Sequence, residues 1–139
     1  YYIESSNKKH YFKSIQILKG QKSFYSDELI KFELIIESNN NDIKNKFLLI
    51  RAQDELEQVL FSCEKELIKD KKVYLFTIPK GTLVKGNYKL NAIIYQPAIA
   101  QFDNVNSCCC FTILNNIEEY AHLETFDIGS MYVSKNWLI

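Results

Sequence analysis

The chain has 139 residues, of which 47% are hydrophobic. That is enough for one domain with its own core, and too apolar for a disordered polymer. Its 17 basic and 17 acidic residues cancel, so it lacks the excess of positive charge that nucleic-acid binding needs, and no nucleic-acid partner is expected.

In chain order the dominant period is two. Ile15 and Ile17 alternate with Ser14 and Gln16 and predict a first strand. In "LIKFELIIE", Ile30, Phe32, Leu34 and Ile36 share one face against Lys31, Glu33 and Ile35. The polar stretch 38–46 reads as a loop. "KFLLIRAQ" (46–53) is the next strand, "DELE" turns the chain, and 57–63 returns it. A strand over 71–78 ends at Pro79, which cannot donate to a ladder. Residues 87–96 are expected to form the longest strand, stopped by Pro97, and 105–114 the next. A short helix capped by Asn116 is predicted over 115–124, with a last short strand in 126–139. Seven to eight strands separated by turn signals predict an all-β fold: an immunoglobulin-like antiparallel sandwich, one domain over residues 1–139.

The chemistry of catalysis is not visible. His10 and His122 are far apart, and neither has metal-ligand spacing near it. The four glycines form no phosphate-cradling or nucleophile-elbow motif. Asp54-Glu55 and Glu118-Glu119 read as solvated turn and helix charges. No metal, cofactor or enzymatic activity is expected, and the sequence favours a binding or interaction module. Cysteines at 63, 108, 109 and 110 do not form the spread pairs of a disulfide framework, which points to a reducing compartment, the cytoplasm. No apolar run approaches the roughly 18 residues that span a bilayer. No signal peptide is visible, and the opening at Tyr1 without methionine predicts a fragment.

The segment "FTIPKGTLVKGNYKL" (76–90) is the most informative local pattern. A strand ends at Pro79, Leu83 and Gly86 follow, and Tyr88 heads the next strand. This spacing matches the tyrosine corner of immunoglobulin-like sandwiches, in which the hydroxyl bonds nearby backbone. Leu90 stands where antibody domains place a disulfide cysteine.

Taken in order, "IQIL", "FYSDELIKFELIIE", "FLLIRAQDELEQVLF", "FTIPKGTLVKGNYKLNAIIY", "CFTI" and "DIGSMYVSKNW" resemble the C-terminal domain of Wzt-type ATPases of O-antigen ABC transporters, over roughly residues 12–137. In "QDELEQ" the family usually has a glycine. The resemblance implies a non-catalytic β-sandwich on the cytoplasmic face of the inner membrane. It would recognise a lipid-linked polysaccharide for export, as a homodimer whose last strand can be exchanged between subunits. Its partners would be a membrane permease and an ATPase domain preceding Tyr1.

Period two then locates a surface. With Tyr88, Leu90, Ala92 and Ile94 inward, Lys89, Asn91, Ile93 and Tyr95 face outward. Leu48, Ile50 and Ala52 inward leave Phe47, Leu49 and Arg51 outward. Cys109, Phe111 and Ile113 inward leave Cys108 and Cys110 outward. A solvent-facing sheet should read polar, and this one does not. Two occupants fit. One is a glycan, stacked on Tyr95 and Phe47 beside Ile93 and hydrogen-bonded by Arg51 and Asn91. The other is a dimer contact or covering strand meeting Leu49, with Trp137 and Val133 docking the last strand. Tyr11, Tyr25 and Tyr132 are further aromatics that could edge a groove. The protein-interaction alternative binds no glycan.

Overall fold

The computed structural model describes residues 1–114; the expected helix over 115–124 and the closing strand lie outside them. Among the described residues eight strands form two sheets. The first sheet orders β1 (His10–Ile17), β3 (Ile30–Ser38) and β6 (Val73–Ile78). The second orders β2 (Ser23–Tyr25), β8 (Ala100–Leu114), β7 (Gly86–Gln96), β4 (Phe47–Asp54) and β5 (Val59–Glu66). This is an immunoglobulin-like sandwich.

The core follows from alternation. Ile30, Phe32, Leu34 and Ile36 of β3 are buried against Leu48, Ile50 and Ala52 of β4 and Leu90, Ala92 and Ile94 of β7. Each fully buried aliphatic or aromatic side chain stabilises the fold by about 1.5–3 kcal/mol relative to exposure. Phe111 is the aromatic hub, with ring centroids 5.6 Å from Phe32, 6.5 Å from Phe24 and 5.8 Å from Tyr88.

Tyr88 closes the corner between β6 and β7. Its hydroxyl donates to the Val84 carbonyl at 2.7 Å, the bond that the spacing of 76–90 predicts. Gly86 makes room for it. Gly86 has φ 153°, and a Cβ there would meet the Tyr88 hydroxyl at 3.4 Å.

Three features depart from the expectations. Not every pairing is antiparallel, since β2 pairs with β8 in parallel. After β1 the chain kinks at Lys19 and Gly20, both with positive φ, and so leaves the first sheet for the edge of the second. The longest strand is β8, with 15 residues against 11 for β7. β8 begins five residues earlier than predicted because Pro97 starts a tight turn rather than a loop. Ala98 takes φ 61° and Ile99 N donates to the Gln96 carbonyl at 3.1 Å, as in a type II turn with proline second. Finally, the turn after β4 needs no glycine. Glu57 adopts φ 65°, and the Asp54 carboxylate accepts from Leu56 N and Gln58 N, both at 2.9 Å.

One buried charge ties the sheets together. Asp103 accepts from Phe12 N at 2.9 Å and from Lys8 Nζ at 2.7 Å. This bonding permits a carboxylate in the core, because an unpaired one would be expelled.

Candidate functional site

The outer face of the five-stranded sheet gathers most of the residues the sequence nominated. The β4–β7 register sets Phe47 opposite Tyr95, Leu49 opposite Ile93 and Arg51 opposite Asn91. Residues directly opposite in an antiparallel pair share a face, so three rows form. Phe47, Leu49, Arg51, Ile93 and Tyr95 are all half-buried. The Phe47 and Tyr95 rings lie 6.0 Å apart at 39°, within the range of favourable aromatic pairs.

The rows continue onto β5, where Glu66, Glu64 and Ser62 stand opposite Phe47, Leu49 and Arg51. Glu64 and Glu66 fall beyond the expected strand, which ends at Cys63, whereas β5 runs on to Glu66. The alternation of Ser62, Glu64 and Glu66 was the available signal. The Tyr95 hydroxyl donates to the Glu64 carboxylate. That bond, and after it desolvation and the carboxylate's charge, raise the Tyr95 pKa above the usual phenol value. On the other side Gln101 of β8 stands opposite Tyr95.

At the β7–β8 turn the face dips into an open recess of about 320 Å³. Leu49, Arg51, Ile93, Tyr95, Gln96 and Gln101 line it, with Ile99 at the rim, 73% exposed. Among the described residues the Arg51 side chain has no hydrogen-bond or ion-pair partner. The wall is thus apolar and aromatic, with one cation and two amides placed on it.

Three nominated residues are used otherwise. Asn91 faces outward but is not free. It is 5% exposed, its Nδ2 donates to Gln53 Oε1 at 2.7 Å, and its Oδ1 accepts from Ser107 N at 2.7 Å. Both ends are consumed in holding a bulge, so it is a structural residue. Cys108 is buried, not outward. Between Leu90↔Cys109 and Ala92↔Val105, the single residue Asn91 faces three on β8. Ser107 takes φ 52° there, and the next side chain turns inward. The Cys108 thiol then donates to the Leu90 carbonyl at 3.2 Å. The Cys109 side chain beside it, followed by burial, raises its pKa. Cys109 is buried as expected, and Cys110 is exposed opposite Lys89. Tyr11 is a core residue at 6% exposure. Tyr25 is exposed at the β2 edge. Trp137, Val133 and Tyr132 lie outside the described residues. Among the described residues, no three His, Cys, Asp or Glu side chains converge on a point suited to a metal ion.

No family model matches the chain, and no curated protein matches it in sequence. Solved structures do match. Two structures of a β-glucuronidase from Parabacteroides merdae, one with glycerol in its active site, align with TM-scores of 0.53 and 0.51 at 16% identity. Each alignment covers 76% of this chain and 14% of the other. The chain therefore spans about one seventh of the length of the enzymes it matches. At this identity the similarity is one of fold alone.

Proposed function

We propose that this domain is a non-catalytic recognition module for a lipid-linked polysaccharide, such as O-antigen, and selects it for export by an ABC transporter. In that setting it works at the cytoplasmic face of the inner membrane, as a homodimer, beside an ATPase domain and a membrane permease. The observation that carries the glycan part is the outer face of the five-stranded sheet. The tilted Phe47–Tyr95 pair, Leu49 and Ile93 form an apolar platform. Arg51, Gln96 and Gln101 line the recess beside it.

This composition supports a sugar site. The apolar face of a pyranose stacks on an aromatic ring, and a few fixed polar groups read its hydroxyls. The recess is open rather than enclosed, so a polymer can lie across it without an end being threaded in. The Wzt-type resemblance of the sequence supplies the export context.

The test is calorimetric titration with the polysaccharide of the producing organism, comparing wild type with Tyr95→Ala. Binding that weakens about tenfold or more in the variant is expected, since loss of one stacking contact of about 1.5 kcal/mol gives that factor. Absence of binding to that glycan overturns the reading. The same apolar rows also suit contact with another protein chain. Sedimentation separates the two: a dimer abolished by Leu49→Arg, with no glycan affinity, makes the face a protein interface.

A further inference from the structure

We infer that the glycan taken by this face is acidic, with an anionic substituent of one sugar residue held by the Arg51 guanidinium. The inference rests on the glycan reading above and narrows the class of ligand. It begins from an imbalance of charge. Arg51 sits half-buried on β4, one strand in from the sheet edge. Its cross-strand neighbours are Asn91 and Ser62, and its neighbours along the strand on the same face are Leu49 and Gln53. All four are neutral. Asn91 and Gln53 are bonded to one another, so their amides do not turn to the guanidinium.

The diagonal carboxylate, Glu64, makes no ion pair with Arg51. The Glu64 carboxylate is engaged by the Tyr95 hydroxyl. Lys89, the other cation nearby, is already paired with Glu57 at 2.8 Å. Arg51 is thus the cation on this face whose side chain has no ion-pair or hydrogen-bond partner among the described residues. A guanidinium partly removed from water and packed beside Leu49 and Ile93 has lost hydration without gaining a partner. Its planar fork of donors matches a carboxylate or phosphate in two parallel bonds.

Geometry sets the footprint. Tyr95 and Arg51 line the same recess, yet four residues separate their positions along the sheet, about 13 Å at the rise of a strand. Two long side chains shorten that span. One ring stacks at Tyr95 while the charged group of its neighbour reaches Arg51, with Ile93 and Leu49 as the floor between. Glu64 sets the direction, because it repels an anion from the Tyr95 end.

The experiment uses one glycan in three forms. The polysaccharide of the producing organism is titrated as isolated, after carboxyl reduction, and after dephosphorylation. The native form is expected to bind at least about tenfold more tightly than one of the neutralised forms, the loss expected for one charge-assisted pair. Which treatment weakens it identifies the anion. Arg51→Gln should abolish that difference, Arg51→Lys should retain part of it, and added salt should weaken only the native form. If all three forms bind wild type equally, and Tyr95→Ala loses affinity while Arg51→Gln does not, the glycan reading stands and the acidic inference falls. If no form binds, both fall. Melting curves of the Arg51 variants confirm that each is folded.

Discussion

The bond between Tyr88 and Val84 is the sharpest place to test how the fold is held. Tyr88→Phe removes one oxygen and leaves the ring, so the contact with Phe111 at 5.8 Å survives. What is lost is a 2.7 Å hydrogen bond to the carbonyl of Val84, a residue only 6% exposed. A typical intramolecular hydrogen bond contributes about 1 kcal/mol net, and leaving its buried partner unsatisfied costs about 1–3 kcal/mol. The expected loss is therefore about 2 kcal/mol, or about 5–10 °C in Tm for a domain of this size. Urea titration followed by circular dichroism measures it, with the midpoint falling and the slope unchanged. Gly86→Ala should also destabilise, by about 1–3 kcal/mol, because φ 153° suits glycine. The double variant should not recover, since removing the hydroxyl relieves the contact but not the backbone. A Tyr88→Phe midpoint within error of wild type would refute the corner as a source of stability. Recovery in the double variant would refute the backbone cause at Gly86.

Asp103→Asn should cost about 2 kcal/mol, the range for hydrogen bonds to a charged group. Hydrogen exchange should speed up at Phe12, whose amide it holds; unchanged exchange there would refute the tie. Asn91→Ala should cost about 2 kcal/mol through loss of two bonds and leave glycan affinity unchanged. Tyr95→Ala should do the reverse, and the two measured together separate structure from recognition. His10 is fully buried and shares a 2.8 Å hydrogen bond with Ser38 Oγ through Nδ1. Burial first, then the Lys46 charge, lower its pKa from the usual 6.5. The unfolded chain therefore binds this proton more readily than the native state. Stability from this residue is fully present above about pH 6.5 and is lost as pH falls towards the lowered folded value, at up to about 1.4 kcal/mol per pH unit. His10→Gln should flatten that part of the stability profile between pH 6.5 and 5, and an identical slope in the variant would refute the assignment.

The sequence made much of the fold legible because burial in a sandwich is written with period two. Ile30, Phe32, Leu34 and Ile36 identify their own face, and Leu48, Ile50 and Ala52 do the same on β4. Once both strands are phased, Phe47, Leu49, Ile93 and Tyr95 fall on the outer face, so its apolar character is legible in the sequence, while the rows that pair Phe47 with Tyr95 and Leu49 with Ile93 come from the register. What period two cannot encode is a break in itself. Counting outward from Phe111 places Cys109 inward correctly and then places Cys108 outward. The left-handed backbone of Ser107 resets the alternation, and nothing in "VNSCCCF" marks that residue as one with positive φ. β2 was missed because three residues are too few to show a period. Its parallel pairing depends on the kink at Lys19–Gly20 rather than on its own side chains.

The outer face is in effect two surfaces, and the polar groups decide which half can bind. Towards the β8 bulge they satisfy one another. Asn91 bonds Gln53 and Ser107, Lys89 pairs with Glu57, and the Thr112 hydroxyl donates to Asn87 Oδ1 at 2.8 Å. A ligand arriving there would have to break such a bond for each one it made, with little net gain. Towards the β7–β8 turn the opposite holds. The side chains of Arg51, Gln96 and Gln101 have no hydrogen-bond partner among the described residues, and the Phe47–Tyr95 pair leaves ring area open beside them. Polar groups without partners, set next to apolar surface, let a ligand gain both burial and hydrogen bonds without dismantling the sheet. The run of three cysteines lies at the satisfied half: Cys108 and Cys109 are turned into the core, and Cys110 is opposite Lys89. The half of this face open to a ligand is therefore the turn end of β7, four residues along from the bulge that Asn91 holds in place.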